Sequence, residues 1–172
     1  ISSEKVRILS TGENIFVNPA WNWGVQEATT ECIIIANDDI YIENLDNIIN
    51  KLQQSLYKGM IIGPDEECFT LEKSNDIKIV KSGSERTKGY GTFMVMYKQD
   101  YRIVPDRFKL WVGDDIQFYT NKAYSIKGLK IETQMSSTLR KYGLRNKGVE
   151  EHEYYEKYCN KDGTLKPAVV LQ

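Results

Sequence analysis

The period of the apolar positions changes several times along the chain, and each change predicts an element. Lys5 to Leu9 alternates as a short strand does, and Ser10 to Asn14 supplies polar turn residues after it. Asn18 is placed to cap a helix whose first position is Pro19, where the missing N–H costs nothing, and that helix would end near Thr29. Glu31-Cys32-Ile33-Ile34-Ile35-Ala36 is an apolar, β-branched run, the pattern of a strand covered on both faces in a parallel sheet. It stops at Asn37-Asp38-Asp39. From about Asn44 to Tyr57, Leu45, Ile48, Ile49, Leu52 and Leu56 share one helical stripe, with Gly59 just past its end. Met60-Ile61-Ile62 returns as a strand. Strand, helix, buried strand, helix, strand is the order of crossover units, so the predicted class is α/β, with a mainly parallel central sheet flanked by helices.

The second half is less regular. Asp65 to Asn75 is acidic and loop-like, Ile77 to Val80 alternates weakly, and Lys81 to Lys88 is polar and reads as a mobile loop. Phe93 to Tyr97 is a strand bounded by Gly89-Tyr90-Gly91 before it, and Pro105 blocks a helix ahead of Phe108 to Trp111. A helix beginning at Asp114, with Ile116, Phe118, Tyr119 and Ala123 toward the core, is expected to end at Gly128. Lys130 to Thr133 then reads as a strand and Glu150 to Tyr158 as a charged, tyrosine-rich helix. No repeat or linker divides the 172 residues, so one domain is expected.

Composition narrows the function. The chain is 41% hydrophobic and 27% charged, which excludes disordered and fibrous classes. With 23 Lys+Arg against 24 Asp+Glu there is no basic surplus, which argues against a nucleic-acid partner held by phosphate contacts. No apolar run is long enough for a membrane span, and no signal peptide opens the sequence. Cys32, Cys68 and Cys159 are odd in number and widely spaced, which predicts reduced thiols in a cytoplasmic setting, with a place at the periphery of a membrane or a viral origin compatible with the same reading. Cys32 is expected to be a small core residue.

Two acidic doublets carry the candidate chemistry. Asp38-Asp39 follows a buried strand directly, where loops beyond the carboxyl ends of strands form ligand crevices. Adjacent acids repel unless a cation joins them, and one or two carboxylates plus substrate phosphates is the usual way to hold Mg2+ or Mn2+. A turn or capping role is the alternative. Asp114-Asp115 lies at a helix start, where ordinary complementing of the helix dipole competes with any catalytic reading. Together the doublets offer a cation to stabilise a departing phosphate and an acid to accept a proton. His152, the only histidine, lies in the charged run Glu150 to Glu153 and reads as a solvated helix residue. There is neither a P-loop nor a dinucleotide fingerprint. Trp21, Trp23, Tyr90 and Trp111 could stack on a sugar or base, with buried packing as the alternative for each.

In the order of these motifs the sequence resembles the GT-A glycosyltransferases, most closely the inverting, nucleotide-sugar-dependent enzymes of family 2. Asn14, Asn18-Pro19-Ala20, Asn22, Gly24-Val25 and Ala28 look like the family's helix before the metal strand, and Cys32 to Asp39 looks like the strand ending in a DxD-type motif. Gly91 to Tyr97 resembles the acceptor-side strand, Trp111 to Phe118 the ED-type helix start, and Gly128 to Ile131 the glycine and strand that follow it. The resemblance spans roughly Lys5 to Thr138 and starts at what looks like the family's second or third strand, so that either Ile1 is not the native start or the fold is trimmed of the opening strand and helix. It implies Asp39 as the main ligand of Mn2+ or Mg2+, with Asp38 sharing the ion or touching the donor. It implies Asp115 as general base with Asp114 as close alternative, Asn18 and Asn22 lining or bracing the donor site, and Tyr90, Gly91 and Trp111 on the acceptor side. The partners implied are a UDP-, GDP- or dTDP-sugar and a glycan, glycolipid or glycoprotein acceptor. Asn37 heads the DxD-type motif and leaves the metal fewer charges, no histidine stands near Gln134-Met135-Ser136 where some relatives place a ligand, and the absence of the processive QxxRW pattern favours single addition over polymerisation. A nucleotidyltransferase and a non-catalytic sugar-binding module are the competing readings.

Overall fold

The computed structural model describes residues 6–134 and 143–167. At its centre β1 (Cys32–Ala36), β3 (Met60–Pro64), β4 (Lys78–Lys81), β5 (Phe93–Tyr97) and β6 (Lys122–Lys127) form one sheet in the order β1-β5-β3-β6-β4. Helices α1 (Val17–Glu27), α2 (Leu45–Ser55), α3 (Gly113–Thr120) and α4 (Arg145–Tyr158) flank it. A separate ribbon pairs β2 (Ile40–Tyr41) with β7 (Glu132–Thr133).

The class is α/β, as the periodicities predict, but the sheet is mixed rather than mainly parallel. Only β3 and β6 pair in parallel, while β1 with β5, β5 with β3, and β4 with β6 are antiparallel. The crossover logic holds in direction, because β1, β3 and β6 all run the same way. What overturns the simpler picture is β5, which enters between β1 and β3 in the opposite sense. Its side chains suit a central place: Met94 and Met96 join one apolar layer, Phe93 and Val95 the other. The first layer packs under α1, α3 and α4 with Val25, Ile116, Phe118 and Tyr155. The second packs under α2 with Ile48 and Leu52, together with Cys68, Leu129 and Ile131.

Several predicted boundaries move for identifiable reasons. α1 begins at Val17, so Asn18 lies in its first turn and caps nothing; Phe16, at φ 68°, takes the cap position without a side-chain bond. The C-terminus of α1 is closed by Lys98 Nζ, which donates to the carbonyls of Gln26 and Ala28. The strand predicted over Lys5 to Leu9 does not form. Val6 to Leu9 are irregular and exposed, since alternation without a sheet partner leaves the backbone unpaired, and Lys5 lies outside the described residues. The helix expected to run to Gly128 stops at Thr120, where Asn121 Nδ2 donates to the carbonyl of Gln117, and Lys122 to Ile126 pair with β3. Gly128, at φ 76°, therefore turns the chain after a strand rather than ending a helix. β7 keeps only two of the residues predicted from Lys130, and α4 starts at Arg145, earlier than Glu150. Met135 and Ser136 are outside the described residues.

No helix among the described residues is long and apolar enough to cross a membrane. The three cysteines are free, Cys32 half-buried at a sheet edge rather than fully in the core, Cys68 and Cys159 buried.

Candidate active site

Both acidic doublets lie at the end of the sheet where β1, β3 and β6 finish. The β1–β5 register pairs Ala36 with Phe93, and the ladder continues one step further as Asn37 N–H donates to the Thr92 carbonyl. Gly91, next to Thr92, is in turn covered by Asp114: a Cβ built on this glycine would meet Asp114 Cβ at 2.8 Å and Oδ2 at 2.9 Å. The segment Tyr90–Thr92 is thus a bridge with the Asn37-Asp38-Asp39 turn on one side and the start of α3 on the other. α3 leads directly into β6 by its C-terminus, so its N-terminus has to stand at the carboxyl end of that strand, the position where open α/β sheets take ligands.

The start of α3 is strained. Val112 sits at φ 74° although it is β-branched and fully buried, a conformation that costs on the order of 1–3 kcal/mol and persists only where the surroundings over-determine it. Here they do: Gly113 leaves no room for a side chain against Asn18 Oδ1 and the Trp21 ring, and the turn delivers Asp114 and Asp115 in succession.

A cation already joins that doublet, and it is Arg86. Its Nε donates to Asp115 Oδ1 at 2.6 Å and its Nη1 lies 2.9 Å from Asp114 Oδ2. A weaker contact runs from Nη2 to Asp115 Oδ2 at 3.4 Å, and Nη1 also donates to the Thr87 carbonyl. The loop is moored to the same sheet end by Thr87 Oγ1, which donates to the carbonyl of Pro64. Side-chain exposure is 21% for Arg86, 19% for Asp114 and 7% for Asp115, so the cluster is largely enclosed. Burial works against the guanidinium charge, but the two carboxylates outweigh it and hold Arg86 charged. Burial also pushes the Asp114 carboxyl above the usual aspartate range, with Arg86 opposing and the neighbouring Asp115 adding to the rise. The loop from Lys81 to Lys88, predicted as mobile, supplies the counter-charge of the site.

The asparagines are braces. Asn18 is buried, its Nδ2 donating to the carbonyls of Phe108 and Trp111, and its backbone N–H to that of Lys109. Asn22 Nδ2 donates to the Val104 carbonyl while its Oδ1 accepts from Tyr101 Oη and the Val104 N–H. Both pin α1 to the 101–111 segment that leads into α3. Tyr90 is a correction to the acceptor-side expectation. Its ring is fully buried, fills the space beside Gly63, meets Phe118 edge-on, and its hydroxyl donates to the Tyr124 carbonyl. Core packing claims that ring, leaving no face for an acceptor. Trp111 is half-buried, its indole packed on Gly148 of α4.

α4 contributes two groups that the charged run concealed. Glu151 is buried, and its carboxylate accepts the N–H groups of Lys109, Leu110 and Trp111 at 2.9, 2.9 and 3.0 Å. His152 is part-exposed rather than fully solvated, with its Nε2 4.0 Å from Asp115 Oδ2 and its Nδ1 3.7 Å from Glu156 Oε1. A signal was present in the spacing of Gly148, Glu151, His152, Tyr155 and Cys159, one helical stripe facing the sheet. For Arg86 the signal was electrostatic, since an acid pair needs a cation and an arginine can be it as well as a metal.

Asp39 is half-buried, and its Oδ2 accepts from Thr133 Oγ1 at 3.3 Å. Its Oδ1 is buried and has no hydrogen-bond partner among the described residues. A carboxylate oxygen withdrawn from water with no donor fits a cation ligand, with the exposed Asp38 alongside. Among the described residues no three His, Cys, Asp or Glu side chains converge as a complete metal cage, so a bound ion would take its remaining ligands from substrate and water. A cavity of about 470 Å³, lined in part by Glu31, Lys58, Tyr97 and Gln99, opens at the opposite end of β1 and β5 and shares nothing with the acids. No protein-family model and no curated protein sequence matches the chain.

Proposed function

We propose that this chain is a metal-assisted, inverting glycosyltransferase of GT-A type, moving one sugar from a nucleotide-sugar donor to an acceptor hydroxyl. The observation that supports this reading most is that both doublets adjoin the same Tyr90–Thr92 segment, Asn37 through its N–H on the Thr92 carbonyl and Asp114 through its cover of Gly91, near the carboxyl ends of the co-directed strands. Asp39, with Asp38, would hold Mn2+ or Mg2+, which would supply positive charge to the departing diphosphate. Asp115 would take the proton of the acceptor hydroxyl, sharing its carboxylate with Arg86 as the hydroxyl approaches. Gly91 would keep the approach to Asp114 open, and Asn18 and Asn22 would hold α1 and the 101–111 segment in register beneath it. The fixed Val112–Asp115 turn would serve positioning, which lowers a barrier by bringing the reacting atoms together in the right orientation.

One observation favours the non-catalytic sugar-binding alternative: Arg86 engages oxygens of both Asp114 and Asp115. The two readings separate in one experiment. UDP-, GDP- and dTDP-sugars are screened for thermal stabilisation with Mn2+ and with chelator, and the stabilising donor is then assayed for transfer to glycan acceptors. The enzyme reading expects metal-dependent binding that Asp39→Ala weakens severely, and transfer that Asp115→Asn abolishes at nearly unchanged donor affinity. Equal affinity in chelator would refute the metal role. Loss of turnover in Asp114→Asn, with Asp115→Asn active, would move the base to Asp114.

A further inference from the structure

A base that takes a proton in an enclosed site also has to lose it before the next cycle. Asp115 has 7% side-chain exposure, His152 38% and Glu156 68%, and the three stand in that order at N···O separations of 4.0 and 3.7 Å. We propose that these residues form a proton relay in which His152 carries the proton from Asp115 to Glu156 and so to solvent. The origin of the proton in an acceptor hydroxyl rests on the transferase reading, whereas the coupling of the three groups does not.

The neighbours of Asp115 leave few other carriers. Arg86 is a fixed cation from the 82–92 loop and takes no proton. Tyr119 of α3 and Tyr155 of α4 have their phenols pushed up by burial, with the Asp115 charge adding to the rise, so they stay protonated and accept nothing near neutrality. Asp114, on the same helix turn, is tied to Arg86 and covers Gly91. His152 alone offers two nitrogens, one toward the buried acid and one toward the exposed acid.

His152 is also held in place. Its α4 neighbours on the same stripe are anchored: Gly148 against the Trp111 ring, Glu151 in three backbone N–H groups, and Tyr155 edge-on to Phe108 with its hydroxyl donating to the Lys161 carbonyl. The helix cannot rotate His152 away without breaking these contacts. The separations exceed direct hydrogen bonds, so each transfer requires a turn of the imidazole or a bridging water.

The step balances. Asp115, having accepted the hydroxyl proton, passes it to the lone pair of neutral His152 Nε2 and returns to carboxylate. The imidazolium releases its Nδ1 proton to the Glu156 carboxylate, which exchanges it with water. No oxidant or further reactant is involved.

Because the chain has a single histidine, its imidazole resonances need no assignment. The test follows them by NMR in the wild-type chain, Asp115→Asn and Glu156→Gln. Relay coupling predicts that the imidazole resonances move in Asp115→Asn, and move less in Glu156→Gln, whose carboxylate is more screened. Unmoved resonances in both variants would overturn the proposal, and Glu156→Gln, altered at the surface, keeps that outcome readable should Asp115→Asn fold poorly. With a donor found, His152→Gln should lower kcat more than KM, flatten the decline toward low pH because only a neutral imidazole can accept the proton, and regain rate with added imidazole. A pH profile identical to wild type would overturn the relay even with NMR coupling present. Coupling in a chain that transfers no sugar would support the linked groups and sink the transferase reading.

Discussion

Replacing Arg86 with methionine removes the cation from between two carboxylates while keeping a long, unbranched side chain in its place. The substitution breaks the ion pairs at 2.6 Å to Asp115 and 2.9 Å to Asp114, in a cluster where no side chain is more than 21% exposed. Breaking a buried pair from one side costs about 3–5 kcal/mol, chiefly because the other charge is left uncompensated; the partial exposure here argues for the lower end, about 3 kcal/mol near neutral pH. The pH dependence has a definite sign. The Asp114 carboxyl is pushed above the ordinary aspartate value of 3.8 by burial, with Arg86 pulling the other way. A raised carboxyl contributes stability that is fully present below the unfolded value and lost as pH rises through the folded one. Without Arg86 the folded value climbs further, so the penalty grows from acid toward neutrality. Urea unfolding of wild type and Arg86→Met should show a loss of about 3 kcal/mol at about pH 7.5 that becomes smaller as the pH is lowered. Arg86→Lys, keeping charge but not the fork, should fall between. A loss under about 1 kcal/mol at the higher pH, the size of an exposed ion pair, or one that does not change with pH, would refute the argument.

Glu151→Gln should destabilise the chain by about 2–4 kcal/mol, because an amide offers one acceptor oxygen and sets its own N–H groups against backbone donors that the carboxylate satisfied; a denaturant midpoint equal to wild type would show that the three bonds do not matter. Gly91→Ala places a methyl against Asp114, and overpacking of that kind costs about 1–3 kcal/mol, read as a fall in Tm. The same variant should weaken the Arg86 effect, so Gly91→Ala with Arg86→Met should cost less than the sum of the two alone.

Periodicity revealed α2, β3 and β5, because each buries a stripe or run of apolar side chains irrespective of its neighbours; β1 was legible as a strand, but it is an antiparallel edge strand with Ile34 exposed where cover on both faces in a parallel sheet was expected. What depends on partners stayed hidden. Lys122–Lys127 reads as the continuation of a helix, and only pairing with β3 makes it a strand. The place of β5 between β1 and β3 is a fact about long-range register. At the site, the acid doublets stand out because adjacent aspartates repel and so demand explanation. Arg86 in a polar loop and His152 in a charged run look like ordinary solvated residues until folding sets them beside Asp115. Asn18 was visible as a helix-start residue, but the carbonyls it holds lie about ninety residues further on.

The position of β5 also governs when the site can exist. β1 and β3 leave the ribosome first, yet among the described residues neither pairs with the other; each waits for a strand that begins about thirty residues after β3 ends. Pairing of β5 sets Thr92 against Asn37, and the docking of α3, still later in the chain, lays Asp114 over Gly91. The anchor common to the two acidic corners is therefore complete only when the middle of the sheet has closed and the helix after it has docked.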